Sequence, residues 1–226
     1  MAVRRQPKGK KKAVILLSGG IDSVTTLYFA KSQNYKSTAI IFDYGQRHRR
    51  EIDSAKYIAK LTKTDYYLIR SFFPWVNSSL TKNNIMVAKD RKLGQGVIPL
   101  TYVSGRNIIF LSYGFSLAES IKAQSVFLGA HIQDYSGYPD CRPEFLNNFQ
   151  TAANSGMKST KIRVVAPLIN KSKREIIRMG LDLGVPFEKT WSCYVGGRRP
   201  CLRCDSCRFR IQAFTDLGMK DPALKS

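Results

Sequence analysis

Short apolar runs alternate with amphipathic stretches along most of the chain. Strands are predicted for the runs AVILL at 13–17, STAIIF at 37–42, DYYLI at 65–69, SVFLGA at 125–130 and IRVVAPL at 162–168. Helical patterns lie between these runs, near 22–33, 48–62, 106–123 and 142–155. Because apolar strands that alternate with helices are typical of parallel sheets covered on both faces, we predict an α/β fold with a doubly wound, mostly parallel sheet.

The remaining segments are less periodic. Residues 71–101 show no clean pattern, which indicates either a functional lid or a connector. The sequence SKRE at 172–175 is a capping box that opens a helix, and Gly184 closes that helix. We therefore divide the chain into a basic tail that we expect to be disordered (1–12), a main nucleotide-binding α/β domain (13–170) and a C-terminal helical region with a cysteine cluster (171–226).

The chain is strongly basic. Its formal net charge is +21, six of the basic residues fall within the first twelve positions, and subtracting those six charges still leaves +15. The charge indicates contact with polyanions or, equally, a solvated surface without a specific partner. No apolar run approaches the roughly 18 residues of a membrane span, and the apolar segment after the basic start is too short for a signal peptide, so we expect a cytoplasmic protein.

The first predicted strand runs into a glycine loop, Ser18-Gly19-Gly20-Ile21-Asp22-Ser23, and then into a predicted helix. Glycines let the backbone approach a ligand, and the N–H groups at a helix N-terminus attract anions. The loop lacks the lysine of the usual nucleoside-triphosphate loop. This arrangement resembles the PP-loop ATP pyrophosphatases, which cleave ATP between the α- and β-phosphates. The resemblance implies that ATP with Mg²⁺ is held by Leu17, Ser18, Gly19, Gly20, Ile21, Asp22, Ser23, Val24, Thr25, Thr26 and Leu27.

Four of the five cysteines cluster near the C-terminus, at positions Cys193, Cys201, Cys204 and Cys207. Such clustering in a cytosolic protein indicates metal rather than disulfides. Four thiolates with no open position favour a structural Zn²⁺, and an iron–sulfur cluster is the alternative. The fifth, Cys141, is interpreted as a small packing residue rather than a nucleophile, since adenylate chemistry needs none.

Longer stretches make the resemblance more specific. The segments FDYGQRHRREIDSA, SGRNIIFLSYGFSLAES, GAHIQDYSGYPDCRPEF and TWSCYVGGRRPCLRCDSCRFR resemble the 7-cyano-7-deazaguanine synthases of the queuosine pathway. The resemblance covers residues 13–222 and implies 7-carboxy-7-deazaguanine as substrate. In that family ATP adenylates the carboxylate, ammonia displaces AMP to give an amide, and a second activation dehydrates the amide to a nitrile. It also implies a homodimer.

Individual roles follow from the same resemblance. Catalytic roles are expected for Ser18, Asp22, Ser23 and Arg106. Substrate contacts are expected for Tyr44, Gln46, Arg47, Asn107, Asp134, Tyr135, Tyr138, Asp140 and Arg142. The segment DYSGYPDCR favours recognition of the deazaguanine, because a carboxylate can accept from the amidine-like edge of a guanine while a tyrosine stacks on its face. Alternative roles are a core position for Tyr44, a structural ion pair for Arg106 and a helix cap for Asp140.

Two other function classes compete with this interpretation. A tRNA-thiolating PP-loop enzyme would share the glycine loop and use the positive charge, but Cys141 is its only candidate for sulfur handling outside the cluster. A non-catalytic zinc protein that binds nucleic acid would leave the loop unexplained. We therefore predict small-molecule substrates (ATP, ammonia and the deazapurine) and no nucleic-acid substrate. Free ammonia is expected as the nitrogen source, since no glutaminase apparatus is apparent.

Overall fold

The computed structural model describes residues 10–90, 98–131, 137–158 and 161–224. One sheet contains five strands, β1 (Lys12–Leu16), β2 (Lys36–Asp43), β3 (Asp65–Arg70), β4 (Ser125–Phe127) and β5 (Arg163–Val165). The α-helices are α1 (Ile21–Ser32), α2 (Arg50–Leu61), α3 (Arg106–Ile121), α4 (Pro143–Ser155), α5 (Lys173–Asp182) and α6 (Asp205–Thr215). The α/β prediction is confirmed.

The sheet has the order β3-β2-β1-β4-β5, and every neighbouring pair of strands is parallel. The chain therefore builds outward from β1 in one direction and, after β3, returns to build from the other side of β1. Ligands in such sheets bind at the carboxyl ends of the strands where the order reverses. The glycine loop follows β1 at this point, beside the ends of β2 and β4.

Strand β1 explains why the predicted strands are apolar at nearly every position. Successive side chains of a strand point to opposite faces, and both faces are covered here. Ile15 packs into a cluster with residues of α1, α2, α5 and α6, whereas Leu16 packs into a second cluster with residues of α3 and α4. The helices thus form two layers around the sheet.

Two strands are shorter than the apolar runs that predict them. Strands β4 and β5 each contain three residues, although the runs extend over 125–130 and 162–168. After Phe127 the chain leaves the ladder, and Leu128, Gly129 and Ala130 line a cleft instead. The apolar residues beyond β4 thus form part of the cleft, whereas Ala166 and Leu168 beyond β5 pack into the two apolar clusters.

The predicted capping box is present at the start of α5. The Ser172 hydroxyl accepts a bond from the Glu175 backbone N–H at 3.3 Å, and the Glu175 carboxylate accepts one from the Ser172 N–H at 2.8 Å. Ile176 and Ile177 on this helix, with Phe214 on α6, bury into the same apolar cluster as Ile15. The C-terminal helices therefore share the core of the sheet.

The irregular segment 71–101 is described except for residues 91–97, and its described part contains neither an α-helix nor a strand. Phe73, Val76 and Leu80 bury into the apolar cluster beneath α3. Phe72 and Trp75 are largely exposed. Within the described ranges, no helix is both long and apolar enough to cross a membrane.

Candidate active site and metal centre

The glycine loop is shaped by contacts with helix α2 and by the Ser23 hydroxyl. Gly19 has a φ of 88°, and a Cβ at this residue would lie 2.4 Å from the Glu51 carbonyl oxygen, so only glycine fits. The backbone N–H groups of Ser18 and Gly19 donate to Ser23 Oγ at 3.1 and 3.2 Å. Gly20 begins α1 without a side-chain cap, which leaves N–H groups of the first helical turn for an anion.

A lysine that the loop motif lacks is supplied by helix α5. Lys173 Nζ donates to Asp22 Oδ1 at 2.6 Å and lies 2.9 Å from His131 Nε2. Burial alone would raise the pKa of the Asp22 carboxyl, but the positive charge of Lys173, aided by His131, outweighs burial and lowers that pKa. A cation is therefore fixed beside the glycine loop. Lys173 and His131 belong to no motif that identifies them as site residues in the sequence, although the capping box marks the start of α5.

The glycine loop forms one side of a cleft. A second side is built around the start of α3, and we call it the α3 wall. It comprises Phe42, Tyr44, Arg106, Asn107 and Phe110. Arg106 Nη1 donates to Tyr44 Oη at 3.4 Å, and burial raises the pKa of Tyr44 to about 12, so its hydroxyl stays neutral. Burial by itself would lower the pKa of Arg106, yet the negative charge of Asp140 opposes burial and the net change is upward. The guanidinium is thus a permanent cation.

The third wall lies next to the cysteine cluster, and we call it the cysteine wall. It comprises His48, Glu51, Trp191, Tyr194, Asp205 and Phe209. Together the glycine loop and the two walls enclose a cleft of about 510 Å³. This volume falls within the range of small-ligand pockets, roughly 300–1,000 Å³.

The structure brings many of the expected site residues to this cleft. Those that line it are Leu17, Ser18, Gly20, Ile21, Asp22, Ser23, Tyr44, Gln46, Arg106, Asn107 and Tyr138. Gly19, within the loop, faces α2 and not the cleft. Val24, Thr25, Thr26 and Leu27 are buried within α1. Asp134 and Tyr135 lie outside the described residues. The roles expected for all of these residues stay predictions.

Several residues of the expected substrate set make structural contacts within the protein. Asp140 is buried, and its Oδ2 accepts a bond from the Asn107 backbone N–H at 2.9 Å, at the start of α3 rather than of the helix that follows it. The Arg47 guanidinium donates to the Ile85 carbonyl at 2.9 Å. The Gln46 side-chain amide donates to the Phe42 carbonyl and accepts a bond from the Tyr44 backbone N–H. Arg142 is exposed and precedes α4. The Asn107 amide also donates to Cys141 Sγ at 3.2 Å, which agrees with a packing role for that cysteine.

The four clustered cysteines converge as their spacing predicts. Their Sγ atoms all lie within 4.8 Å of one another. Backbone N–H groups of Cys201 and Cys204 donate to neighbouring sulfurs at 3.3 Å, which suits thiolates. Hydrogen bonds from the Cys204 and Cys207 thiols lower the pKa of Cys193, while the same cluster raises the pKa of Cys207. Four convergent sulfur donors fit a metal ion that prefers thiolates.

The cysteine cluster is connected to the glycine loop through residues 190–193. The Trp191 N–H donates to the Gly19 carbonyl at 3.0 Å, and the Trp191 indole N–H donates to the Cys193 carbonyl at 2.9 Å. Arg210 on α6 is buried and donates to Thr190 Oγ1 at 2.8 Å. The same guanidinium pairs with Asp221 at 2.6 and 2.9 Å. The position of the loop therefore depends on this C-terminal packing.

Two enzymes of known structure share this fold. The U34-tRNA thiolase NcsA from Methanococcus maripaludis, solved with its 4Fe–4S cluster, is 17% identical with a TM-score of 0.52, over 93% of this chain and 66% of that one. An NMN synthetase from Francisella tularensis is 14% identical with a TM-score of 0.50, over 96% and 82%. At these identities the likeness concerns the fold alone.

Comparison of sequences is more specific. Proteins named 7-cyano-7-deazaguanine synthase are 49% identical in Trichodesmium erythraeum (94% of this chain, 100% of the relative), 48% in Clostridium kluyveri (94% and 96%) and 46% in Thermoplasma acidophilum (94% and 91%). A family model described as queuosine biosynthesis protein QueC matches residues 12–218. The chain belongs to the QueC family of queuosine biosynthesis proteins.

Proposed function

We propose that the protein converts 7-carboxy-7-deazaguanine and ammonia to 7-cyano-7-deazaguanine at the expense of ATP. The observation that carries the proposal is the 46–49% identity with synthases of this name over nearly the whole chain. The sequence relatives favour this function over tRNA thiolation, since the thiolase is related only in fold.

The glycine loop would hold the leaving group of both activation steps. The substrate carboxylate attacks the α-phosphorus of ATP, and pyrophosphate departs against the N–H groups at the start of α1. Lys173 lies beside Asp22 at this point and can neutralise developing negative charge. Bound Mg²⁺ would supply further charge neutralisation, and Asp22 is the carboxylate placed to hold it.

The chemistry that follows requires no nucleophilic side chain. Ammonia attacks the acyl carbon, AMP leaves, and the nitrogen loses a proton to give the amide. A second adenylation on the amide oxygen, with loss of AMP and protons from nitrogen, gives the nitrile. Each adenylation converts a poor leaving oxygen into a phosphate ester, which divides a difficult substitution into easier steps. Arg106, a permanent cation in the cleft, is suited to hold the α-phosphate or the substrate carboxylate.

The four cysteines are proposed to hold a structural Zn²⁺. Four convergent sulfur donors, which would leave no open position on a four-coordinate ion, support zinc. Residues 190–193 connect this site to Gly19, so the metal would stabilise the cleft from behind the glycine loop. Metal analysis of anaerobically purified protein should show zinc near stoichiometry. Iron with visible cluster absorbance would contradict this assignment.

A homodimer in the cytoplasm completes the proposal. The exposed rings of Phe72 and Trp75 support a subunit interface, since large exposed apolar groups often mark contact surfaces. A reducing compartment keeps the thiol ligands available for metal. Light scattering on a sizing column measures the mass directly, and a strictly monomeric protein would rule out the dimer.

The decisive test is product analysis by mass spectrometry. Protein supplied with ATP, Mg²⁺, ammonium and 7-carboxy-7-deazaguanine should release the nitrile together with AMP and pyrophosphate. Turnover should need no tRNA and should change little between low and physiological salt, because a small substrate displaces few counterions. Formation of ADP, or a requirement for tRNA, would refute the proposed function.

A further inference from the structure

Partly buried Glu51 and buried His48 form a pair in the cysteine wall, and neither residue has a role in the proposed chemistry. Glu51 Oε2 lies 2.7 Å from His48 Nε2, with side-chain exposures of 18% and 3%. Glu51 stands in the first turn of α2, where the helix meets the glycine loop. A Cβ added at Gly20 would lie 3.8 Å from Glu51 Oε1 and 3.5 Å from the Trp191 carbonyl oxygen. The carboxylate and Trp191 thus converge on the loop.

Two bases must enter the same cleft, and their edges differ. A guanine-type ring presents N1–H and 2-amino donors side by side, whereas adenine presents an acceptor at N1. A carboxylate can accept two hydrogen bonds from the guanine-type edge, whereas it repels the acceptor at adenine N1. Within the described parts of the chain, three carboxylates line the cleft, and these belong to Asp22, Glu51 and Asp205. Asp22 is already paired with Lys173. The remaining candidates for recognition of the guanine-type edge are Glu51 and Asp205, which both lie in the cysteine wall.

Of these two candidates, Glu51 has the better support. His48 orients one of its oxygens, and the glycine loop lies beside the other. Asp205 instead follows the proposed metal ligand Cys204 at the start of α6. A positioned carboxylate at the phosphate loop would hold the base within reach of the α-phosphate, where the carboxylate must be activated.

The cysteine wall also offers aromatic surface for a planar ring. Trp191 lines the cleft and is held by its indole hydrogen bond to Cys193 and by the Arg50 guanidinium, 5.0 Å from its ring centroid. The Tyr194 ring centroid lies 5.8 Å from that of His48. A rigid ring beside a positioned carboxylate is the combination that stacks on a base and reads its edge.

The α3 wall has the opposite character. Its rings are Phe42, Tyr44 and Phe110, its charge is Arg106, and no carboxylate lines it in the described residues. The nearby Asp140 does not line the cleft and accepts the Asn107 N–H. Apolar rings and a cation suit the adenosine and phosphates of ATP. The glycine loop between the two walls would then receive the phosphates.

We propose that Glu51 recognises the N1–H and 2-amino edge of the deazaguanine against Trp191, with His48 as a positioning residue for its carboxylate. This inference rests on the proposed function and moves recognition of the base from the segment 134–142 to the cysteine wall. Glu51 would then direct the deazaguanine to the cysteine wall, while the adenine of ATP occupies the α3 wall.

Binding can be followed through Trp191. The chain has two tryptophans, so Trp75→Phe leaves Trp191 as the single reporter in the full-length, metal-loaded protein. Saturating α,β-methylene-ATP, which resists cleavage between the α- and β-phosphates, fills the nucleotide site. The ligands are 7-carboxy-7-deazaguanine and its analogue without the 2-amino group.

In this background, Glu51→Gln should weaken binding of 7-carboxy-7-deazaguanine by about 10- to 100-fold, the effect of losing hydrogen bonds to a buried charge. The variant should also lose the preference for the 2-amino compound, and binding of α,β-methylene-ATP should not change. Asp53→Asn is the matched control, since it removes the same charge from an exposed position on the same helix. For the positioning role, His48→Gln, whose amide can donate to Glu51, should retain more of the 2-amino preference than His48→Ala.

Several outcomes would overturn the inference. Full retention of the 2-amino preference in Glu51→Gln would exclude Glu51 as the reader, and loss of that preference in Asp205→Asn alone would assign the role to Asp205. Weakened binding of α,β-methylene-ATP in Glu51→Gln would place Glu51 on the phosphates instead. A wild-type protein that neither binds the base nor makes the nitrile would refute the proposed function itself, which is a separate result.

Discussion

Removing Asp221 should destabilise the protein strongly, because it strands a buried cation. Arg210 and Asp221 have side-chain exposures of only 6% and 2%, and two hydrogen bonds of 2.6 and 2.9 Å join them. Breaking one partner of a buried pair costs about 3–5 kcal/mol, since the remaining charge is left uncompensated. The Arg210 guanidinium keeps bonds to Thr190 Oγ1 and to the Phe187 carbonyl, both at 2.8 Å. We therefore expect the lower end, about 3 kcal/mol, for Asp221→Ala.

The measurements are urea unfolding and thermal melting of the metal-loaded protein, both followed by circular dichroism. A loss of about 3 kcal/mol should lower the melting temperature by roughly 6–12 °C in a chain of this size. Asp90→Asn is the control, because Asp90 and its partner Arg203 are both more than half exposed and asparagine tolerates the φ of 54° at this position; its effect should be far smaller. The double variant Arg210→Met/Asp221→Ala should recover much of the loss, since no lone charge then remains. A small effect of Asp221→Ala, or additive losses in the double variant, would refute the reasoning.

Further predictions concern the glycine loop and its lysine. Lys173→Met should abolish AMP formation, whereas Lys171→Met, an exposure-matched neighbour outside the cleft, should not, as measured by nucleotide chromatography. The depressed pKa of Asp22 means that its charge stabilises the fold above its unfolded pKa of about 3.9 and that this contribution is lost as pH falls through the folded pKa. The stability advantage of wild type over Asp22→Asn should thus be lost as the pH falls below about 4 in urea titrations. Gly19→Ala should cost both stability and ATP binding, because its Cβ would lie 2.4 Å from the Glu51 carbonyl oxygen, whereas Gly184→Ala, also at positive φ but in open space, should leave ATP binding unchanged; equal loss of ATP binding in both would contradict the steric argument.

The elements that could be predicted are those with a local cause. The run AVILL is apolar throughout because β1 is covered on both faces, and its alternate residues enter two different clusters. The capping box marks α5 because its two hydrogen bonds span only three residues. The bounds of helix α6 were not predicted, because its buried face includes Arg210 and a pattern of apolar residues at helical spacing does not detect a buried arginine.

The candidate site divides in the same way. The spacing of Cys193, Cys201, Cys204 and Cys207 was enough to predict that their sulfurs converge, since they lie within one short loop. The expected substrate segment was harder to interpret, because Asp140 accepts a bond from Asn107, which is 33 residues away in sequence. The sequence of a polar motif does not show whether its aspartate binds a substrate or caps a helix N-terminus.

The sequence by itself determined the parallel α/β class, the glycine loop after β1 and the thiolate set, because each depends on periodicity, backbone conformation or ligand spacing within a few residues. Only the tertiary structure decided which distant side chains meet at that loop. Lys173 reaches Asp22 across 151 residues, and Glu51 meets Trp191 at Gly20. These encounters depend on the strand order β3-β2-β1-β4-β5 and on the packing of α5 and α2 against it. Strand order arises from the burial of whole faces, which no short stretch of sequence contains.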